Sequence, residues 1–115
     1  MSYVNTPGSF LANAAISAFR AVALSNNRGV GANGNTTTPM GFTLMDAAAN
    51  EYVAVRFLAG PGTHKCIVTG APITVNDTVY AAGSGYVSAT GTVALGKSLT
   101  TATANDTIIE FVPTL

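Results

Sequence analysis

Charge is what this chain has least of. Five Lys and Arg stand against five Asp and Glu, giving a formal net charge of zero, and only 9% of residues are charged, where an average soluble domain has about 25%. Phosphate binding needs clustered basic side chains. Arg20, Arg28, Arg56, Lys65 and Lys97 are scattered singly, so direct nucleic-acid binding is not expected. A neutral surface is poorly protected against association, which points to lasting contact with other protein. Cysteine occurs once, at Cys66, which leaves no intrachain disulfide and no thiolate-rich metal site. With His64 as the single histidine, no four-ligand set is recognisable, and neither metal nor cofactor is expected. No apolar run reaches membrane-spanning length. The N-terminus lacks both a basic segment and a continuous apolar one, so a secretion signal and a membrane location are not expected, and synthesis in a host cytoplasm fits. After Phe19 no helical pattern of ten or more residues occurs, which argues against a parallel α/β fold with its crossover helices.

What remains is apolar and rich in turns. Hydrophobic residues make up 48% of the 115, and 12 are glycine, enough for one domain with a real core. Met1–Ser9 reads as an extended arm, and over Phe10–Phe19 a short helix and extended structure are both open. Ala21–Leu24 reads as a short strand, and Gly29–Pro39 as a surface loop too polar for a core element. Gly41–Leu44, Tyr52–Phe57, Thr63–Val68, Ile73–Tyr80, Tyr86–Ala89, Thr92–Leu95, Lys97–Leu99 and Thr107–Val112 carry strand signals. Gly83-Ser84-Gly85 marks a hairpin turn. This spacing predicts an all-β fold, a compact β-barrel or sandwich of short strands with an extended N-terminal arm. The domain division is an arm at 1–19 and a single β domain at 20–115.

The domain contains an internal pseudo-repeat. Gly41–Phe57 recurs 55 positions later as Gly96–Val112, with Gly41/Gly96, Leu44/Leu99, Ala47/Ala102, Ala49/Ala104 and Asn50/Asn105 in place. Extended upstream, the copies cover about 20–57 and 77–112, with 58–76 as the connection. The match conflicts with itself at one point. A fixed offset sets Glu110 against Val55 on the apolar face, so a bulge must intervene or the last strand must pack on both faces.

The chemical motifs weaken on inspection. Gly29–Gly34 matches GxGxxG, but the Asn-Thr-Thr-Thr-Pro that follows is not the helix a dinucleotide site needs. His64 and Cys66 fall on one side of a strand, yet no third group orients the imidazole; a structural place for both is the plainer reading. Glu51 and Asp106 hold matching places before their strands, which favours a shared structural role over paired catalysis. No enzymatic activity is expected.

Phe19–Leu24, then Pro39–Leu44 with Ala47–Val55, resembles the small capsid decoration (cement) proteins of tailed bacteriophages. Ile73–Tyr80, Gly85-Tyr86-Val87, Leu95–Leu99, Asn105-Asp106 and Ile108–Val112 extend the resemblance through the second half. The resemblance implies a non-enzymatic β protein on the exterior of the virion capsid, binding the major capsid protein, often as a homotrimer, and stabilising the lattice. The candidate contacts are then Tyr3, Val4, Phe10, Leu11 and Ile16 of the arm, with Val30, Asn33, Asn35 and Met40 in and beside the Gly29–Pro39 loop. The alternative is a particle-displayed module binding carbohydrate or a receptor, with Tyr52, Tyr80 and Tyr86 grouped round a concavity.

Overall fold

A strand sends successive side chains to opposite faces, so Tyr52–Phe57 places Val53 and Val55 on one side and Tyr52, Ala54 and Arg56 on the other. The computed structural model describes residues 8–25, 29–59 and 62–114; these carry ten strands, and the alternation is plainest in four of them, Tyr52–Phe57, His64–Ile67, Thr78–Gly83 and Ile108–Pro113. No helix occurs among the described residues. The strands are β1 (Gly8–Ala12), β2 (Ala21–Leu24), β3 (Gly29–Ala32), β4 (Gly41–Thr43), β5 (Tyr52–Phe57), β6 (His64–Ile67), β7 (Thr78–Gly83), β8 (Tyr86–Ser88), β9 (Ala94–Ser98) and β10 (Ile108–Pro113).

The first five strands close into a barrel in the order β1-β3-β2-β4-β5, with β5 pairing back to β1. The last five form a sheet in the order β6-β10-β9-β7-β8. Its two ends are joined by one parallel bridge, Val68 to Val87, where the Thr69 N–H donates to the Val87 carbonyl at 2.8 Å.

Residue pairings show that the halves repeat one architecture. Ala12 against Val30 is matched by Val68 against Val87, and Phe10 against Val53 by Cys66 against Ile109. Leu24 against Val30 is matched by Ala81 against Val87, and Gly41 against Phe57 by Gly96 against Pro113. The isolated bridges Ile16–Ala47 and Ile73–Ala102 each carry reciprocal backbone hydrogen bonds of 2.9 and 2.8 Å. In space the duplication therefore runs from β1 to β5 and from β6 to β10. Residues 8–12, read as arm, are the first strand of the first copy; the stretch 58–76, read as connection, contains the first strand of the second. Residues 10–19 are not helical: β1 runs to Ala12, Ile16 bridges to Ala47, and the chain then turns at Ala18 and Phe19, the latter at φ 60°. Backbone bonds from Ala12, Asn13, Ile16 and Phe19 go to residues distant in sequence rather than along a helix.

One inserted residue resolves the conflict at Glu110. Ala47 and Ala102 are 55 positions apart, but Asn50 and Asp106, at φ 68° and 64°, are 56 apart. Beyond the insertion Val53 and Val55 correspond to Ile109 and Phe111, all buried, and Glu110 turns outward beside Lys65. The segment read as a loop from Gly29 also differs. Its first four residues form β3, with Val30 in the core. Glycine fits at 29 because the Asn13 side chain fills the space a Cβ would take.

Two apolar clusters form. Val22, Val30, Val53 and Val55 with Ala12 and Ala47 fill the first barrel. The larger cluster fills the second half and takes in Ala21, Phe42 and Leu58 from the first. Phe42, projecting outward from β4, meets the rings of His64 and Phe111 at 5.3 and 5.4 Å. Burying a side chain of that size contributes about 2–3 kcal/mol. Backbone bonds seal the junction: Ala21 N–H to the Gly85 carbonyl at 2.8 Å and Ile67 N–H to the Phe19 carbonyl at 3.0 Å. The repeat diverges at this face. Register sets Lys97 where the first copy has Phe42, and the bonds Leu58 to Met40 and Thr114 to Leu95 set Thr114 where it has Leu58. The second copy thus carries Lys97 and Thr114 at positions where the first copy docks through Phe42 and Leu58.

Candidate functional site

Between the outer face of the first barrel and the second half lies a cleft of about 290 Å³. Phe42 and Arg56 are register partners on β4 and β5 and so share its first wall. Thr63, His64 and Lys65, at the entry to β6, and Glu110 of β10 form the opposite wall. Lys65 and Glu110 are cross-strand partners, and the Thr63 hydroxyl donates to the Glu110 carboxylate. Gly62, at φ 99°, leaves room for the Arg56 guanidinium, which a side chain there would meet at 2.7 Å.

His64 is 1% exposed. Its Nε2–H donates to the Leu58 carbonyl at 3.3 Å, so Nδ1 carries the lone pair and has no partner among the described residues. Burial pulls the imidazole pKa below its ordinary 6.5; the Leu58 bond opposes this and the Arg56 charge adds to it. Cys66 lies on the same inward side of β6, but its Sγ–H donates to the Gly85 carbonyl at 3.5 Å. Burial pushes its thiol up to about 12, against smaller lowering from backbone bonds and Arg20. Each side chain is engaged by a backbone carbonyl, and a thiol so strongly protonated is a poor nucleophile. No group of three or more His, Cys, Asp or Glu that could hold a metal occurs among the described residues. The GxGxxG at 29–34 runs from β3 into a loop.

Of the nine residues marked from sequence as contacts, seven lie among the described residues, and these seven do not share one exposed surface. Tyr3 and Val4 lie outside the described residues. Phe10, Ile16 and Met40 are half-buried against the first core, with Phe10 edge-on to Phe57 at 5.8 Å. Leu11 is half-buried in β1, opposite Tyr52. Val30 and Asn33 are each 1% exposed and serve their own fold, because Asn33 Nδ2 donates to the Gly34 and Thr37 carbonyls at 2.8 and 2.7 Å. Asn35 is exposed.

Other residues are better placed to meet a partner. Tyr52 is 71% exposed, and Leu24, Met45, Val75, Leu99 and Ile108 also present large apolar surface. Two pairs are repeat equivalents: Leu44 with Leu99, and Tyr52 with Ile108. On β10 the outward row is Ile108, Glu110 and Val112, with Leu99 bonded to Glu110 through the backbone at 2.8 Å. The signal in the sequence was phase. Tyr52 and Ile108 fall on the strand face opposite the buried Val53, Val55, Ile109 and Phe111, and apolar character on the outward phase marks contact surface.

No family model matches the chain, and no curated protein matches it. Among solved structures, the crystal structure of the N base of the head fiber gp8.5 of bacteriophage phi29 is similar, with a TM-score of 0.79 at 17% identity. The similarity covers 94% of this chain and 92% of that one. The two share a fold, including both halves of the duplication.

Proposed function

We propose that this protein is a structural component of a bacteriophage virion, bound to the outer surface of the head, where it stabilises the capsid lattice. The observation that carries the reading is the shared fold with a head fiber base across nearly the whole of both chains. The resemblance of the turn-and-strand segments to capsid decoration proteins supports the finer assignment. So does the sparse charge, which gives the surface little protection from association.

The partner in this reading is the major capsid protein, and the bound form is a homotrimer. A protein that binds only the assembled lattice stabilises it by mass action, and repetition over a symmetric shell multiplies modest contacts. The outward apolar residues Tyr52, Leu99 and Ile108 are the contacts assigned here. No catalytic residue belongs to the proposal. Mixing the purified chain with heads that lack it, and measuring co-sedimentation, tests the assignment. Saturable binding that protects heads against heating supports it, and no binding sinks it.

One observation favours a second reading, a particle-displayed carbohydrate- or receptor-binding module. A polar hollow of about 300 Å³ is lined by Asn35, Thr69, Ser88, Thr90 and Thr92, side chains suited to hydroxyl groups. The aromatic part of that expectation is divided. Tyr52 is on β5 of the first half, and Tyr86 lies beneath the Arg20 guanidinium at 4.6 Å. Glycan-array binding that survives loss of head binding would favour this reading.

A further inference from the structure

We propose that the cleft between the halves is a binding site for a carboxylate carried beside an apolar group. Two cations, Arg56 and Lys65, line it against one carboxylate, Glu110. Lys65 and Glu110 are cross-strand neighbours, and Glu110 is further engaged by Thr63. Arg56 is therefore the cation in excess. Its Nε is buried and without a partner among the described residues, a state that buried polar atoms rarely keep. A carboxylate is the complement of a guanidinium donor.

The other wall materials set the rest of the ligand. Phe19, Phe42 and Leu44 line the cleft and suit an aliphatic or aromatic neighbour of the carboxylate. His64 stands in the same wall with its ring buried against Phe42 and Phe111 and its Nε2–H committed to Leu58, so it shapes the cleft and offers a ligand no polar atom. At about 290 Å³ the cleft is at the small end of ligand sites, which fits an acidic residue with one apolar neighbour. The carboxylate has two possible sources, a segment of another protein or a free organic acid. The site's chemistry stands whether or not the protein works on a phage head.

The test uses the full chain labelled with nitrogen-15 and three probes: N-acetyl-Glu-Leu-amide, its Gln-Leu counterpart, and 4-methylpentanoate. Shifts at the Arg56 Nε–H and at the His64 and Lys65 amides are expected with a carboxylate probe. The Gln peptide is expected to bind about tenfold more weakly or worse. Arg56→Gln is expected to weaken binding roughly ten- to a hundredfold, the worth of one charge-assisted hydrogen bond. Lys65→Gln, at an exposed position that leaves the fold intact, is expected to weaken it several-fold. Binding of the Glu peptide alone identifies a protein source, and binding of the free acid alone a small-molecule source; either upholds the site. Equal binding of Glu and Gln peptides, or no shift with either acid at about 10 mM, a concentration that would reveal even millimolar affinity, overturns it.

Discussion

Asn50 and Asp106 hold the same left-handed turn in the two halves, at φ 68° and 64°, each donating its N–H to the strand that opens its own copy. Asn50 reaches the Ala12 carbonyl at 2.7 Å, and Asp106 the Val68 carbonyl at 2.8 Å. Left-handed backbone strains any residue with a Cβ, and Asn and Asp least among them. Asp106→Gly is therefore expected to leave stability unchanged or raise it, and Asp106→Ala to lower it by about 1 kcal/mol. Asn105 precedes the turn residue and accepts the Ala71 N–H at 2.9 Å, so Asn105→Gly is expected to destabilise. Denaturant midpoints of the three variants check the assignment, and the opposite order would restore the fixed offset.

Gly41 and Gly96 allow two strands to approach where a Cβ would collide with the Arg56 and Val112 carbonyls. Gly96→Ala forces β9 away from β10 and is expected to cost about 1–3 kcal/mol. Equilibrium unfolding measures it.

How much of this was legible in sequence follows from what each signal encodes. Strands such as Ala21–Leu24, Tyr52–Phe57, His64–Ile67 and Ile108–Pro113, the hairpin at Gly83–Gly85 and the repeated glycines were readable, because period-two alternation and turn chemistry are local. β3 was not, because Gly29 owes its place to the distant Asn13 side chain. The start of the repeat was hidden for a similar reason. β1 and β6 share pairing but little identity, with Gly8 standing where the second copy has His64. The cleft could not be read at all, since Arg56 and His64 meet only when the halves dock.

His64 makes stability depend on pH. Its folded pKa lies below 6.5, so the unfolded chain takes up the proton first as pH falls. The stability tied to the neutral ring is complete above pH 6.5 and declines as pH falls below that value toward the folded pKa. His64→Phe keeps a ring against Phe42 and Phe111 and is expected to remove this limb. Denaturant midpoints between about pH 7.5 and 5, with and without the substitution, read the difference.

Cys66 is buried, with its thiol pushed up to about 12. Alkylation at neutral pH is therefore expected only as fast as the second half opens, and to accelerate with denaturant in step with unfolding. Mass spectrometry follows it.

Tyr52 and Leu99 are outside both cores. Tyr52→Ser and Leu99→Ser are expected to change stability by about 0.5 kcal/mol or less, while weakening attachment to heads and trimer formation. Deleting residues 2–7 leaves β1 whole and separates any contribution of the arm from that of the barrel. Light scattering and co-sedimentation report on both.

Electron microscopy of purified particles decides where the protein works. Density for the ten-stranded fold, repeated over the outside of the head between neighbouring capsid subunits, is the predicted result. Particles that contain the chain but carry no such density on the head exterior would contradict it.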